Sequence, residues 1–91
     1  MNIDLDKINE IYGMEMLKLI NSNIDNVNNN LTYFNSLGFD DYFDYLERLP
    51  MLFILDFREF KNKIDTLINK LGHDYKDIIE NDIGVLENII W

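Results

Sequence analysis

The sequence contains no cysteine, and this absence excludes several kinds of chemistry. Without a thiol there is no disulfide framework, no thiolate nucleophile and no cysteine-ligated zinc site. The sequence also has a single histidine, His73, and no glycine-rich phosphate-binding motif. His73 stands between Gly72 and Asp74 and is interpreted as a loop residue. Asp40, Asp41 and Asp44 lack the spacing of a calcium loop. We therefore expect no enzymatic activity, no cofactor and no bound metal.

Long apolar segments are also missing. No stretch approaches the 18 or more apolar residues of a membrane span. The first residues, MNIDLDKINE, carry early acids and lack the basic region and apolar run of a secretory signal. Together with the absence of cysteine, these features predict a cytoplasmic protein without a membrane partner.

Basic residues are scarce. Eight Lys and Arg face 17 Asp and Glu, so the 91-residue chain has a net charge of −9. An acidic surface repels phosphate backbones and favours basic partners, so we expect no direct nucleic-acid binding. A hydrophobic content of 47% is enough for one modest core and a single domain, residues 1–91. Asn is abundant while Ala and Gln are absent, a bias that suggests a low-G+C bacterium or a mobile element such as a phage or plasmid.

Apolar residues recur at steps of three and four along the first 37 residues, as they do on helices. The first stripe predicts an N-terminal helix within residues 1–22, with Asp4 as its N-cap and Gly13 as a candidate bend. A second stripe predicts a helix that Gly38 ends in a left-handed conformation. Its apolar face contains Ile24, Val27, Leu31 and Phe34, and its other faces contain Asn26, Asn28, Asn29 and Asn30.

The segment GFDDYFDYLERLPMLFILDF, residues 38–57, contains the only proline. Asp40 or Asp41 can cap a short helix, which must end near Leu49 because Pro50 disfavours helical geometry in the residue before it. The run PMLFIL can form either a helical turn or a short strand. We favour the turn because the sequence offers no second strand, and we expect residues 50–53 to be architectural.

The clearest predicted helix, residues 57–71, follows a D-x-x-E capping pattern formed by Asp56 and Glu59. Gly72 ends it, and Asp74 and Asp82 can each start a further short helix, with Trp91 packed against the core. The sequence therefore predicts an all-α, compact bundle of five to six short helices. The expected core includes Leu52, Phe60, Ile64, Leu67 and Leu71.

An internal similarity divides the chain after its N-terminal helix. NSLGFD at 35–40 matches NKLGHD at 69–74, a spacing of 34 residues, and this suggests repeat-like units at 23–56 and 57–91. The pattern of a helix ending in Leu-Gly, a second helix, a Pro-Leu turn and an Asp-led helix resembles repeats of the mitochondrial transcription termination factor (mTERF) family. The matching residues are Leu37, Gly38, Leu46, Pro50, Leu52, Asp56, Ile64, Leu67, Leu71 and Gly72.

The resemblance implies a three-helix repeat fold and nucleic-acid binding. We adopt the first implication as an expectation and not the second, because this chain has at most two units and an acidic charge balance. No binding residue is transferred from the family, since the basic positions of its concave surface are too few here.

Aromatic and acidic residues together indicate a candidate contact surface. We expect one or two of Tyr33, Phe39, Tyr42 and Tyr45 to be exposed, because so small a core cannot bury them all. On the helix before Pro50, Phe43 and Leu46 are assigned to the core. The predicted partner-binding residues are Asp41, Tyr42, Asp44 and Tyr45.

Aromatic anchors beside acids suit docking onto a basic protein. The first hypothesis is a protein-interaction module, either an adaptor or a regulatory subunit. One alternative is a phage- or plasmid-type inhibitor that mimics nucleic-acid charge, and another is an mTERF-like nucleic-acid binder. A charge mimic requires a stripe of acids, whereas the acids in this sequence are scattered, which favours the adaptor. The oligomeric state is open.

Overall fold

The computed structural model describes residues 5–90, which form a chain of helices with no strand among them. This confirms the predicted all-α fold. Asp4 and Trp91, for which a cap and a core position were predicted, lie outside these residues. The α-helices are α1 Leu5–Tyr12, α2 Met14–Ser22, α3 Ile24–Ser36, α4 Tyr42–Arg48, α5 Pro50–Phe53, α6 Phe57–Leu71, α7 Tyr75–Asn81 and α8 Gly84–Ile90; Gly72–Asp74 form a 3-10 turn.

The prediction of five to six helices is too low for the described part of the chain, for two local reasons. The N-terminal helix breaks at the candidate bend, Gly13, into α1 and α2. The run after Leu49 forms a separate helical turn, α5, with Pro50 in its first turn, where a missing backbone N–H costs no helical hydrogen bond. The helical alternative for PMLFIL is therefore confirmed.

The two longest helices, α3 and α6, provide much of the core. Asp56 caps α6, because its carboxylate accepts a hydrogen bond from the Arg58 backbone N–H at 3.1 Å. Three predicted positions on α6 are buried as expected, whereas Leu71, also assigned to the core, is only half-buried at the end of the helix. The fully enclosed side chains include Ile8, Ile20, Val27, Leu31, Phe34, Phe39, Leu52, Phe53, Phe60 and Leu86.

The α5 turn is held from the α3 side by an asparagine. Asn30 is fully buried, although its position on the polar side of the sequence pattern predicted the opposite. Its side-chain amide donates to the carbonyls of Phe53 and Leu55 at 2.9 and 2.8 Å. Leu52 and Phe53 are buried as predicted, but Met51 points outward, which corrects its assignment as an architectural residue. A four-residue helix cannot turn every side chain inward.

Side chains distant in sequence also satisfy the ends of other helices. The Tyr12 hydroxyl donates to the Glu47 carbonyl at 2.5 Å, at the end of α4, and the Tyr75 hydroxyl donates to the Leu37 carbonyl at 2.8 Å, just after α3. The Asn26 amide oxygen accepts from the Phe57 backbone N–H at 3.2 Å, at the start of α6. These helix ends therefore exchange water for tertiary hydrogen bonds, which tie the short segments together.

Helices and buried positions recur along the chain at a near-constant interval. The starts of α3, α4 and α5 precede those of α6, α7 and α8 by 33, 33 and 34 residues. Gly38 and Gly72, which follow α3 and α6, both have positive φ, 103° and 79°. Pairs of buried residues follow the same interval: Val27 and Phe60, Leu31 and Ile64, Phe34 and Leu67, Tyr45 and Ile79, and Leu52 and Leu86.

Candidate protein-interaction site

A surface pocket of about 420 Å³ lies between α4 and α7, the second helices of the two recurring segments. Its walls combine charged and apolar side chains from both helices and from the loop after α3. The lining residues are Gly38, Asp40, Asp41, Asp44, Tyr45, Arg48, Lys76, Ile79, Glu80 and Ile83. Three of the four predicted partner-binding residues, Asp41, Asp44 and Tyr45, therefore come together at one pocket.

Tyr45 does not occupy the exposed position predicted for it. Only 5% of its surface is exposed, and its ring meets those of Phe34 and Phe39 edge to face, at centroid distances of 5.0 and 5.6 Å. The prediction assumed that Phe43 and Leu46 mark the inner face of α4. Leu46 is buried, but Phe43 is only half-buried, because the space beside Phe34 takes Tyr45 instead. Tyr45 is thus a core residue whose edge reaches the pocket.

The polar end of Tyr45 faces the pocket without a protein partner. Its hydroxyl makes no hydrogen bond to any residue among 5–90, although the ring is enclosed. Burial, followed by the negative charges of Asp41, Glu80 and Asp44, raises the pKa of Tyr45 from 10.0 to about 12. The hydroxyl therefore keeps its proton at neutral pH and can both donate and accept a hydrogen bond.

Four carboxylates and two cationic side chains line the pocket, an excess of two negative charges. Arg48 pairs with Asp44 at 3.3 Å, one turn apart on α4, and Lys76 pairs with Glu80 at 3.8 Å, one turn apart on α7. Asp40 and Asp41 are exposed and form no ion pair within the described part of the chain. The negative excess therefore lies at the loop end of the pocket, before α4.

No family model matches the chain. Searches of curated proteins and of solved structures likewise give no significant match. The resemblance to mTERF repeats therefore stays a prediction. None of the helices within residues 5–90 has both the length and the apolar character needed to cross a membrane. Among the same residues, no three His, Asp or Glu side chains are grouped as metal ligands would be.

The other candidate residues lie outside the pocket. Tyr42, the fourth predicted partner-binding residue, is half-buried, with its ring 4.6 Å from that of Phe43. The expectation that one or two of the four aromatic residues would be exposed is wrong: Phe39 and Tyr45 are buried, and Tyr33 and Tyr42 are half-buried. A small core accommodates them by stacking, as Phe34 and Phe39 do at 4.2 Å.

Tyr33 belongs to a separate polar group that joins α3 to α6. Its hydroxyl donates to the Asp65 carboxylate, which also accepts from the Lys61 ammonium at 2.7 Å. These hydrogen bonds, first that from Lys61 and then that from Tyr33, lower the pKa of Asp65. All three side chains are engaged with one another, so we interpret the group as structural.

Residues of α7 were missed as part of the site. Lys76, Ile79 and Glu80 line the pocket opposite α4, and the stem of Lys76 lies against Gly38, 3.5 Å from where a β-carbon would stand. The signal for them was present in the match of NSLGFD with NKLGHD, because that register aligns α4 with α7. The register does not say that the two aligned helices border one pocket.

Proposed function

We propose that the protein is a small, non-enzymatic interaction module of the cytoplasm that docks on a basic protein partner, as an adaptor or a regulatory subunit. The observation that carries this proposal is the grouping of four carboxylates around one pocket: Asp40 and Asp41 from the loop before α4, Asp44 from α4 and Glu80 from α7. Two of the four have no ion pair with residues 5–90, so a cationic partner can add charge pairs without breaking existing ones.

The charge of the whole chain supports the same conclusion. A net charge of −9 gives a long-range field that speeds encounter with a basic surface, and the effect weakens as salt increases. Asp40 and Asp41 are exposed and lie before α4, where they can meet a partner first. In this proposal Tyr45 is a buried residue whose edge lines the pocket, and it is not an exposed anchor.

We also infer that residues 23–56 and 57–90 are two copies of one three-helix unit. The near-constant spacing of helix starts, the two positive-φ glycines and five matched pairs of buried residues support this inference. In that arrangement the pocket lies between equivalent helices of the two copies. The nucleic-acid binding implied by the mTERF resemblance is not proposed, because the acidic surface opposes it.

Affinity capture from the native host tests the proposed function. The intact protein is immobilised beside a double variant, Asp40→Lys with Asp41→Lys, and a control, Asp25→Lys with Asp77→Lys. The control has the same net charge as the Asp40/Asp41 variant. It also changes exposed acids at helix starts, in the first turns of α3 and α7. We expect a basic protein that the unchanged chain and the control retain and that the pocket variant loses.

Two results would contradict the proposal. If no protein is retained reproducibly, the interaction role fails. If the pocket variant and the control lose the protein equally, only net charge matters. A retained protein that binds nucleic acid and is released by duplex DNA would instead favour the alternative of an inhibitor that mimics nucleic-acid charge.

A further inference from the structure

The geometry points to a specific occupant for the pocket between α4 and α7: we propose that it binds the guanidinium group of an arginine side chain from a protein partner. This inference rests on the proposed function, which supplies the basic partner. It goes further in naming the group that enters the pocket and the atoms that receive it. The acceptors are the Tyr45 hydroxyl oxygen and the carboxylates of Asp41 and Glu80.

The Tyr45 hydroxyl is the observation that distinguishes this pocket from an ordinary acidic surface. A phenol whose ring is 95% enclosed is fixed in position, yet its oxygen has no hydrogen-bond partner among residues 5–90. The hydroxyl oxygen itself is open to water at the pocket, since the buried side-chain oxygens without a partner among the described residues are those of Asn28 and Asn30. Because this hydroxyl lies at the pocket wall, a ligand can supply the donor that the protein does not.

The distribution of acceptors favours guanidinium over ammonium. Asp41 and Tyr45 lie on the α4 side of the pocket and Glu80 lies on α7, so a ligand must donate in two directions. A guanidinium group has five N–H donors in one plane, whereas an ammonium group is a compact point charge. Ile79 and Ile83 supply apolar wall that suits the methylene stem of arginine.

The existing cations leave room for one more charge. Arg48 and Lys76 each pair with a carboxylate of their own helix, so the six charged residues retain an excess of two negative charges. One bound guanidinium reduces that excess to one. The pocket is therefore complementary to a monocation, which shares the Glu80 carboxylate with Lys76 and leaves the Arg48–Asp44 pair unchanged.

A titration of the intact, isotope-labelled protein tests the inference without an identified partner. The probes are N-acetyl-arginine amide, N-acetyl-lysine amide and N-acetyl-citrulline amide, the last an uncharged analogue of arginine. Backbone amide shifts are followed by nuclear magnetic resonance. We expect saturable shifts for the arginine probe at Gly38, Asp41, Tyr45 and Glu80, weaker binding of the lysine probe, and no localised binding of the citrulline probe.

Two variants locate the contacts. Tyr45→Phe removes only the unpartnered oxygen, and Asp41→Asn removes one charge from a position that makes no side-chain cap. Each should weaken binding of the arginine probe by roughly threefold to tenfold, as expected for the loss of one hydrogen bond at a site open to water. Asp77→Asn, on α7 outside the pocket, is the control and should leave the affinity within about twofold of the unchanged protein.

Several outcomes overturn the inference: equal binding of the lysine and arginine probes, shifts spread over the whole acidic surface, or affinity that Tyr45→Phe does not change. Failure here is distinguishable from failure of the proposed function. If a captured partner still binds both Tyr45→Phe and Asp41→Asn, the interaction role stands but the pocket is not the site of contact. Absence of any captured partner would instead reject the interaction role.

Discussion

The side-chain amide of Asn30 donates a hydrogen bond to the carbonyl of Phe53, 2.9 Å away, and so joins the middle of α3 to the end of α5. The same amide donates to the carbonyl of Leu55 at 2.8 Å. Phe53 is the last residue of α5 and Leu55 comes two residues later, so neither carbonyl has a helical partner. A single buried asparagine therefore fixes the segment that leads into α6.

Exchanging Asn30 for Asp should cost at least about 2 kcal/mol of unfolding free energy, because two carbonyls lose their donor and face a carboxylate in the core. Asn29→Asp, at the exposed neighbouring position on α3, introduces the same charge and should change stability by less than about 0.5 kcal/mol. Urea unfolding of both variants measures the difference. Equal stability of the two would show that the Asn30 hydrogen bonds do not support the turn.

Asn30 and Tyr45 also show which features could not be predicted from the sequence. Long stripes and backbone signals predicted α6, its Asp56 cap and the stops at Gly38 and Gly72, because these depend on local geometry. The prediction of which face of α4 is buried was wrong. Seven residues give too few turns to define a face, so packing against the neighbouring helices decides it. Asn30 was placed on a polar face because its partners lie 23 and 25 residues away.

Three tyrosine substitutions separate ring burial from hydroxyl bonding. Tyr75→Phe should lower the free energy of unfolding by about 1 kcal/mol, because it removes the hydroxyl that donates to the Leu37 carbonyl. Tyr45→Phe should change stability by less than about 0.5 kcal/mol, since no hydrogen bond within residues 5–90 is lost. Tyr45→Ala should cost about 3 to 5 kcal/mol by removing an enclosed ring. Chemical denaturation gives all three values. If Tyr45→Ala left stability unchanged, the ring of Tyr45 would not be part of the core.

Stability should fall at alkaline pH in part because of Tyr45. Burial and nearby carboxylates raise its pKa in the folded protein to about 12, above the ordinary value of 10.0. The unfolded chain therefore releases this proton first, so the contribution to stability is complete below pH 10 and is lost as pH rises toward about 12.

Tyr45→Phe cannot ionise and should lose less stability than the unchanged protein between about pH 9 and about pH 11.5, measured by denaturant midpoints. The other tyrosines are common to both proteins, so the comparison isolates Tyr45. Parallel losses in the two proteins would contradict the raised pKa.

Leu67 tests the placement of the α6 face. It is 7% exposed, and Leu67→Ala should cost about 2 to 5 kcal/mol through lost burial and the cavity that remains. Leu19→Ala removes the same atoms from a side chain that is 42% exposed and should cost less, about 1 kcal/mol or below. Thermal and urea unfolding provide the comparison. Equal costs would mean that α6 packs through a different face.

Duplex DNA and RNA should show no useful affinity at physiological salt, despite the resemblance to mTERF repeats. Phosphate binding gains free energy when cationic side chains release counterions, and this chain offers eight Lys and Arg against 17 acids. Of these cations, Lys18, Arg48, Lys61 and Lys76 already pair with a carboxylate one turn away. Fluorescence anisotropy of labelled duplexes at about 150 mM salt should therefore show no submicromolar binding. Submicromolar affinity that declines steeply with added salt would restore the nucleic-acid role and displace the adaptor.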